Sequence, residues 1–296
     1  MSTTLAPTDR GTTSLRTIDG HTRRRKQRSR FARLVLLVAM GIAILPLVLI
    51  VLEVTRRGLP AINVDFFTQL QPSGRRAGGG YMHGFVGSAV MVSLATVLAV
   101  PLGILAAIYL TEYGRGWLAA TVRFFTDVMT GVPSVFVGMF VYALLVRQIG
   151  FGAFVGGLGL AVLMLPIVVR SSEEMLKLVP EEQRAASIGL GARKWQTITK
   201  VVLPTAAPGL TTGAMLAVAR AAGETAVLIL TALGSNRVMT SLQGEPAASA
   251  TLLIYRGARQ PFAEGQQRAW AGALTLVVIV LILTLSARWI TARSRR

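Results

Sequence analysis

Long uncharged, apolar stretches alternate along the chain with short polar segments, and this alternation predicts its helices. Six stretches lack any charged residue and consist mainly of apolar side chains: Leu34–Leu52, Gly84–Thr111, Val128–Val146, Gln148–Val169, Val201–Ala219 and Ala269–Ala287. Each is long enough, as an α-helix, to cross about 30 Å of membrane hydrocarbon. The pattern therefore predicts an all-α membrane protein with six transmembrane helices.

The composition agrees with a membrane protein and excludes several kinds of active site. Of the 296 residues, 52% are apolar and only 15% are charged, a balance unlike that of a water-soluble domain. Cysteine is absent, and the only histidines are His21 and His83. Neither an HExxH motif nor a P-loop, GxxxxGK followed by Ser or Thr, occurs. The sequence thus offers no metal site and no ATPase site, and we do not expect this chain to be an enzyme.

The basic residues are distributed unevenly between the polar segments. The formal net charge is +18, and a basic run occupies Arg23–Arg30. Because this run directly precedes the first apolar stretch, it is typical of a membrane anchor beside anionic lipid rather than of a nucleic-acid site. With the N-terminus inside, the inner segments carry 9, 2, 6 and 4 basic residues, which is 21 of the 31. This excess predicts that both termini are cytoplasmic and that the protein lies in the plasma (inner) membrane.

Four regions follow from these patterns. Residues 1–33 form a basic, largely disordered cytoplasmic arm, and residues 34–83 contain the first membrane helix and an outer loop. Residues 84–290 form the transmembrane domain, and residues 291–296 form a cytoplasmic tail. The outer loop contains Pro60, Pro72 and the triplet Gly78–Gly80, so we expect turns and exposure there rather than a packed core.

Two further features concern the packing of the apolar stretches. Only residues 147–150 separate the third and fourth stretches, so we expect an antiparallel hairpin. The glycines at the start of the fourth stretch favour close approach of a neighbouring helix; they are Gly152, Gly156, Gly157 and Gly159. The apolar sequence from Val201 to Asn236 is too long for one span, so it either bends or re-enters after Glu224.

The longest inner segment, residues 171–204, contains more structure than a connector needs. Pro180 and the two glutamates after it are typical of a first helical turn, and Gly191 is typical of its end. Between them, Ala185, Ala186 and Gly189 place small side chains on one side of the helix. The segment therefore predicts an exposed surface that another protein can approach closely.

A second amphipathic piece follows Gly191. Trp195, Ile198 and Val202 recur at helical spacing, while Lys194 and Lys200 can stay in water. Together the two pieces predict a pair of short helices around a glycine turn, exposed to the cytoplasm and suited to docking.

This segment resembles the cytoplasmic loop of the permeases of ATP-binding-cassette (ABC) importers. The pattern of that family is EAA, three residues, G, nine residues, I, any residue, LP. Here Ala185–Ser187, Gly191 and then Val201, Val202, Leu203 and Pro204 keep every spacing. Ala185 stands where the family usually has glutamate, which removes one acid that could pair with an ATPase subunit.

Four further motifs narrow the resemblance to the A-type permease subunit of the phosphate importer: TGVPSVFVG in the third stretch, LPIVVRSSEEMLKLVP, ARAAGETA and PFAEGQQRAWAG. The resemblance implies the type I ABC importer architecture and a complex of several subunits. Its other members would be a second permease, two cytoplasmic ATPase subunits that bind ATP and Mg²⁺, and an external phosphate-binding protein. It implies no cofactor in this chain.

Charged residues in the fifth apolar segment are the candidate substrate contacts. Arg220 and Glu224 are four residues apart, so on one helix they would share a face and could pair. Ionisable groups in a membrane span are costly and usually face a partner or a water-filled path, and a guanidinium can grip two phosphate oxygens. The alternative is a structural ion pair between helices. Arg170 is a second candidate, or else an anchor at the membrane boundary. Asp127 is expected to be a polar cap or an interfacial residue rather than a ligand.

Other function classes remain open at this stage. An ion-coupled secondary anion transporter could also use an Arg–Glu pair, but such folds usually contain internal repeats, and none is visible here. An intramembrane enzyme lacks its metal ligands or nucleophile, and a membrane scaffold would leave the docking segment unexplained. Physical arguments alone do not separate phosphate from sulfate or another oxyanion.

Overall fold

A computed structural model of the chain describes residues 20–72 and 76–293, and within these ranges the fold is helical. The helices are α1 (Gly20–Gly58), α2 (Val64–Thr68), α3 (Met82–Ile108), α4 (Trp117–Gly131), α5 (Ser134–Val141), α6 (Arg147–Ile149), α7 (Ala153–Lys177), α8 (Glu181–Gly189), α9 (Lys194–Thr197), α10 (Leu203–Ala222), α11 (Ala226–Thr231), α12 (Ala250–Ala258) and α13 (Ala263–Arg293). π-helical turns extend α3 and join α5 to α6 and α9 to α10. The chain divides into two units at Glu53 and Val54.

Within the described residues, five helices are long and apolar enough to cross a membrane, or six if one bent pair is a single span. The bent pair is Trp117–Gly131 with Ser134–Ile149, whose axes differ by 109°. The prediction of one straight helix over Val128–Val146 is therefore wrong. Pro133 has no N–H to donate and forces Val132 into an extended conformation, with ψ at 128°, so the helix ends between them.

The core of the second unit is built on the packing of α7 against α3 and α10. Close packing at the predicted glycines is confirmed, although the partners are α3 and α11 rather than the hairpin neighbour. A Cβ added to Gly157 would lie 2.6 Å from Leu94 Cδ2, and one added to Gly159 would lie 2.6 Å from Val227 Cγ1. Side chains at these positions would push the helices apart.

The long apolar sequence after Val201 does not form one span. Helix α10 ends at Ala222, the chain turns at Gly223, and the short α11 follows from Ala226 to Thr231. Leu233 then adopts a positive φ of 61°, which ends the helical run. The chain therefore bends at Gly223, and the turn brings α11 against α5 and α7.

The loop after α1 is largely exposed among its described residues, as expected, but it is anchored to the bundle at a few buried points. Phe66 and Tyr81 are fully buried, and the Tyr81 N–H donates to Phe66 O at 2.9 Å. The Tyr81 hydroxyl donates to Leu253 O at 3.2 Å, and burial raises the pKa of Tyr81 to about 12. Arg268 Nη1 donates to the carbonyls of Arg76 and Gly78. Aromatic burial and backbone hydrogen bonds thus fix both ends of an otherwise exposed loop.

The chain ends differ in part from their predicted states. Residues 20–33, expected to belong to a disordered arm, are helical, while residues 1–19 lie outside the described residues. Helix α13 continues to Arg293, so only residues 294–296 of the predicted tail fall outside the description. Helix α7 likewise continues to Lys177, seven residues into the predicted inner segment.

Candidate functional site

Arg220 lies in the last turn of α10 and faces a cleft between three helices. The cleft has a volume of about 390 Å³ and is lined from α4, α7 and α10. The helices contribute Met129, Thr130, Leu163, Pro166, Ile167, Leu216 and Arg220 to the lining, and Val132 adds to it from the short link after α4. Arg220 is exposed and has no hydrogen-bond or ion-pair partner among the described residues. It therefore offers a complete set of guanidinium donors to the cleft.

Glu224 does not share a helical face with Arg220, and the predicted pairing of the two is wrong. Because α10 ends at Ala222, Glu224 lies in the turn that leads to α11. Its carboxylate Oε1 accepts the Ala226 N–H at 3.0 Å, and its carbonyl accepts the Thr251 hydroxyl at 2.9 Å. Glu224 thus fixes the turn between α10, α11 and α12.

Arg170 lies on α7, one helical turn beyond the Ile167 that lines the cleft. Its Nη1 pairs with Asp127 Oδ1 at 3.2 Å, and its Nε pairs with Glu174 Oε1 at 3.3 Å. Asp127, expected to be a polar cap or an interfacial residue, is an exposed ion-pair partner from α4. Arg170 is about half exposed, so its positive charge is largely balanced by two carboxylates while remaining accessible to water.

The two arginines lie at different depths along the bundle. Helices α7 and α10 are antiparallel, because Gly209 lies beside Met175 and Gly213 lies beside Ser171. The same register places Arg220 level with Met164, about six residues from Arg170, or roughly 9 Å along the helix axis. Arg220 lines the cleft, whereas Arg170 lies beyond its lining residues.

The inner segment forms the predicted pair of elements around Gly191. Helix α8 spans Glu181–Gly189, and Gly191 takes a φ of +86°, which favours glycine. Small and apolar side chains are exposed together here, and we call them the α8–α9 surface: Ala185, Ala186, Ile188, Gly189, Leu190 and Trp195. Leu190 is 90% exposed and Trp195 is 54% exposed. Such a cluster of exposed apolar groups is typical of an interaction surface.

Trp195 does not lie on the same helix face as Ile198 and Val202, although the three residues recur at helical spacing. Ile198 and Val202 are buried, whereas Trp195 points away from the bundle. The second element is also not a separate short helix, because Lys194–Ala222 forms one continuous helical span. Leu203, partly buried against Ala107 and Leu176, and the exposed Pro204 lie inside this span. The α8–α9 surface is therefore joined directly to the helix that carries Arg220.

Two ion-pair clusters beside α8 were missed by the sequence analysis. The Arg184 guanidinium pairs with Glu112 Oε1 at 3.1 Å, with both side chains largely buried. The Glu173 carboxylate, 3% exposed, pairs with Arg123 and with Lys177 at 2.8 Å each. Charged residues at the ends of apolar stretches resemble ordinary membrane anchors, and the 72 residues between Glu112 and Arg184 leave no local signal.

Comparison with known proteins identifies the family. Residues 99–296 match the family model of the binding-protein-dependent transport system inner membrane component. A phosphate transport system permease protein PstA of Yersinia pestis is 40% identical, over 92% of this chain and 92% of the relative. The PstA of Xylella fastidiosa strain Temecula1 is 43% identical over 81% of this chain and 84% of the relative.

Solved structures agree on the fold. A chain of a bacterial alginate ABC transporter has a TM-score of 0.67 and 16% identity, covering 91% of this chain and 96% of that chain. A chain of the MetNI methionine ABC transporter has a TM-score of 0.57 and 19% identity, covering 71% and 92%. These similarities support the type I ABC importer permease architecture. The chain therefore belongs to the binding-protein-dependent transport inner membrane component family and, within it, to the PstA phosphate transport permeases.

Proposed function

We propose that this chain is the permease subunit of an ATP-driven importer that carries inorganic phosphate across the plasma membrane by alternating access. The relatives that share about two fifths of its residues are phosphate transport permeases. In the proposed complex the chain pairs with a second, homologous permease and with an external phosphate-binding protein. Two cytoplasmic ATPase subunits bind ATP and Mg²⁺, and this chain holds no cofactor.

The proposal assigns the α8 end of the bundle to the cytoplasm, together with both termini. The distribution of basic residues supports this orientation, since the segments on that side carry 21 of the 31. The α8–α9 surface then faces the ATPase subunits. Because α9 and α10 are continuous, movement of that surface acts directly on the helix that carries Arg220.

The observation that carries the proposal is the unpaired Arg220 guanidinium in the cleft. Guanidinium stays charged when partly dehydrated, and its planar donors match two oxygens of a phosphate. Alternating access needs each ligand to favour one conformation over the other. An arginine that faces the path in only one conformation would meet this requirement without holding the ion permanently.

Arg170 and Glu224 have supporting roles in this proposal. Arg170, with two carboxylate partners, would receive phosphate weakly on the cytoplasmic side, so that the ion leaves. Glu224 would hold the turn beside Arg220 in place through the Ala226 N–H. Neither residue needs to bind phosphate tightly.

The test is phosphate uptake in cells that lack other phosphate importers and express the whole complex with variants of this chain. We expect Arg220→Gln to lower uptake about tenfold or more, because a charge-assisted contact of roughly 1.5–3 kcal/mol is lost. Arg220→Lys keeps the charge without the planar fork and should give an intermediate value. Arg237→Gln is the matched control, since that exposed side chain has no partner among the described residues.

Co-purification of the subunits establishes that each variant complex assembles. Near-normal uptake by an assembled Arg220→Gln complex would contradict the pathway role. Arsenate, which has nearly the shape and charge of phosphate, should compete for uptake, whereas equal competition by sulfate would contradict the substrate assignment. None of the relatives or structures described above favours the ion-coupled transporter, and loss of uptake on ATP depletion separates the two mechanisms.

A further inference from the structure

We infer that Arg184 is a positioning residue that transmits movement of the α8–α9 surface to the Arg220 cleft through its ion pair with Glu112. The inference rests on the proposed function and adds to it the physical connection between the ATPase side and the ion path. It assigns a role to Arg184, Glu112 and Arg123, none of which belongs to the predicted motif or to the cleft.

Arg184 is the point at which three segments are joined. Its side chain is 13% exposed and its Nη2 donates to Glu112 Oε1 at 3.1 Å and to Leu176 O at 2.9 Å. Its Nε donates to the same carboxylate, and its Nη1 donates to Val179 O. A single side chain of α8 thus holds the end of α7, the link to α8 and the turn that follows α3.

The turn that follows α3, Tyr109–Tyr113, is held from two sides. It is a π-helical turn, a form that is often found at functional sites. On one side, Lys194 of α9 donates to Glu112 O and lies 4.5 Å from the centre of the Tyr113 ring. On the other, Arg123 Nη2 of α4 donates to Leu110 O at 2.7 Å. The turn therefore connects α8 and α9 with α4.

Helix α4 completes the connection to the ion path. Arg123 also pairs with the buried Glu173 of α7, which fixes the middle of α4 against the bundle. Six residues further along α4, Met129 and Thr130 line the cleft opposite Arg220. Displacement of α8 is thus carried by Arg184 to the π-helical turn, by Arg123 to α4, and by α4 to the wall of the cleft.

The chemistry of Arg184 suits this task. A guanidinium that donates to three different acceptors restrains both direction and distance, whereas a single bond would let α8 rotate. The pair is screened little by salt, because both partners are largely buried. Coupling between distant sites requires such a contiguous, stiff element that both sites displace.

The experiment measures phosphate uptake and ATP hydrolysis by the complete complex in proteoliposomes. We expect Arg184→Gln to lower the ratio of phosphate transported to ATP hydrolysed about tenfold, with ATP hydrolysis changed less than twofold. Glu112→Gln keeps one acceptor oxygen and should lower the ratio about threefold. Lys200→Gln is the matched control, because Lys200 is exposed in the same segment and has no partner among the described residues.

The double variant tests whether the two residues act through one contact. We expect Arg184→Gln with Glu112→Gln to lower the ratio no further than Arg184→Gln alone. If the double variant lowers the ratio by the product of the two single effects, the inference is overturned. It is also overturned if Arg184→Gln leaves the ratio unchanged, whether phosphate uptake and ATP hydrolysis both stay normal or both fall by the same factor. If the Arg184→Gln complex does not assemble, the milder Glu112→Gln complex is used instead. An unchanged ratio of phosphate transported to ATP hydrolysed in that complex would overturn the inference.

A second measurement separates this inference from the proposed function. The chain has no cysteine, so Thr130→Cys and Leu216→Cys give two unique spin-label sites in this subunit, on opposite walls of the cleft. In the otherwise unchanged complex, nucleotide should alter the distance between the labels; with Arg184→Gln this change should be lost, and with Glu112→Gln it should be smaller. A full nucleotide response in Arg184→Gln would refute the role of Arg184. Failure of phosphate uptake by the unchanged complex would instead refute only the substrate.

Discussion

Replacement of Glu173 by glutamine tests how much a buried ion pair on α7 stabilises the fold. The Glu173 side chain is 3% exposed and pairs with Arg123 and Lys177 at 2.8 Å each. The neighbouring Glu174 is 58% exposed and pairs with Arg170 at 3.3 Å. The same substitution at the two positions therefore compares a buried carboxylate with an exposed one on the same helix.

The expected cost follows from the surroundings of the two carboxylates. A charge-assisted hydrogen bond contributes about 1.5–3 kcal/mol, and glutamine can still accept one bond with its amide oxygen. Arg123 and Lys177 are 36% and 57% exposed, so their charges regain water and the larger penalty of a stranded buried charge is avoided. We expect Glu173→Gln to cost about 2 kcal/mol, whereas Glu174→Gln should cost less than about 1 kcal/mol because exposed pairs contribute little.

Thermal unfolding of the purified chain in detergent, followed by tryptophan fluorescence, measures the difference. At roughly 2–4 °C per kcal/mol, Glu173→Gln should lower Tm by about 4–8 °C. Glu174→Gln should lower it by less than about 4 °C. Equal shifts for the two variants, or a larger shift for Glu174→Gln, would show that burial does not set the strength of these pairs.

Three further predictions concern packing, backbone conformation and docking. Gly87→Ala should destabilise the fold by about 1–3 kcal/mol, measured as a lower Tm, because the new Cβ would lie 2.0 Å from Ala248 O; an unchanged Tm would contradict the close approach. Gly191→Ala should cost about 1 kcal/mol because of its φ of +86°, while Gly189→Ala, equally free of neighbours, should not lower Tm. Trp195→Ala should leave Tm nearly unchanged but weaken ATPase binding about tenfold or more, measured by titration of the purified subunits; unaltered binding would remove Trp195 from the docking surface.

Several features of this protein depend only on local sequence, and these could be predicted. An apolar run of about 20 residues forms a helix in the membrane wherever it occurs, so the spans before and after the bent pair lie where the pattern placed them. The start of α8 after Pro180 and the turn at Gly191 likewise follow from the backbone preferences of proline and glycine. The exposed face of small residues on α8 could also be predicted, because it depends only on helical spacing within that segment.

Other features depend on contacts that sequence spacing does not encode. Arg220 and Glu224 were expected to share one helix face, but α10 ends at Ala222, and the Glu224 carboxylate accepts the Ala226 N–H in the turn that follows. The helix break at Pro133 was concealed by an unbroken apolar run.

The sequence by itself determined which segments enter the membrane and which local turns join them. The length of an apolar run and the backbone preferences of proline and glycine are both properties of one short segment. Only the tertiary structure decided which charges meet. Glu112 and Arg184 are 72 residues apart, and a charged side chain at a helix end has the same local pattern whether it faces water or a partner. The cleft beside Arg220 and its connection to α8 exist because antiparallel packing brings these distant helix ends together.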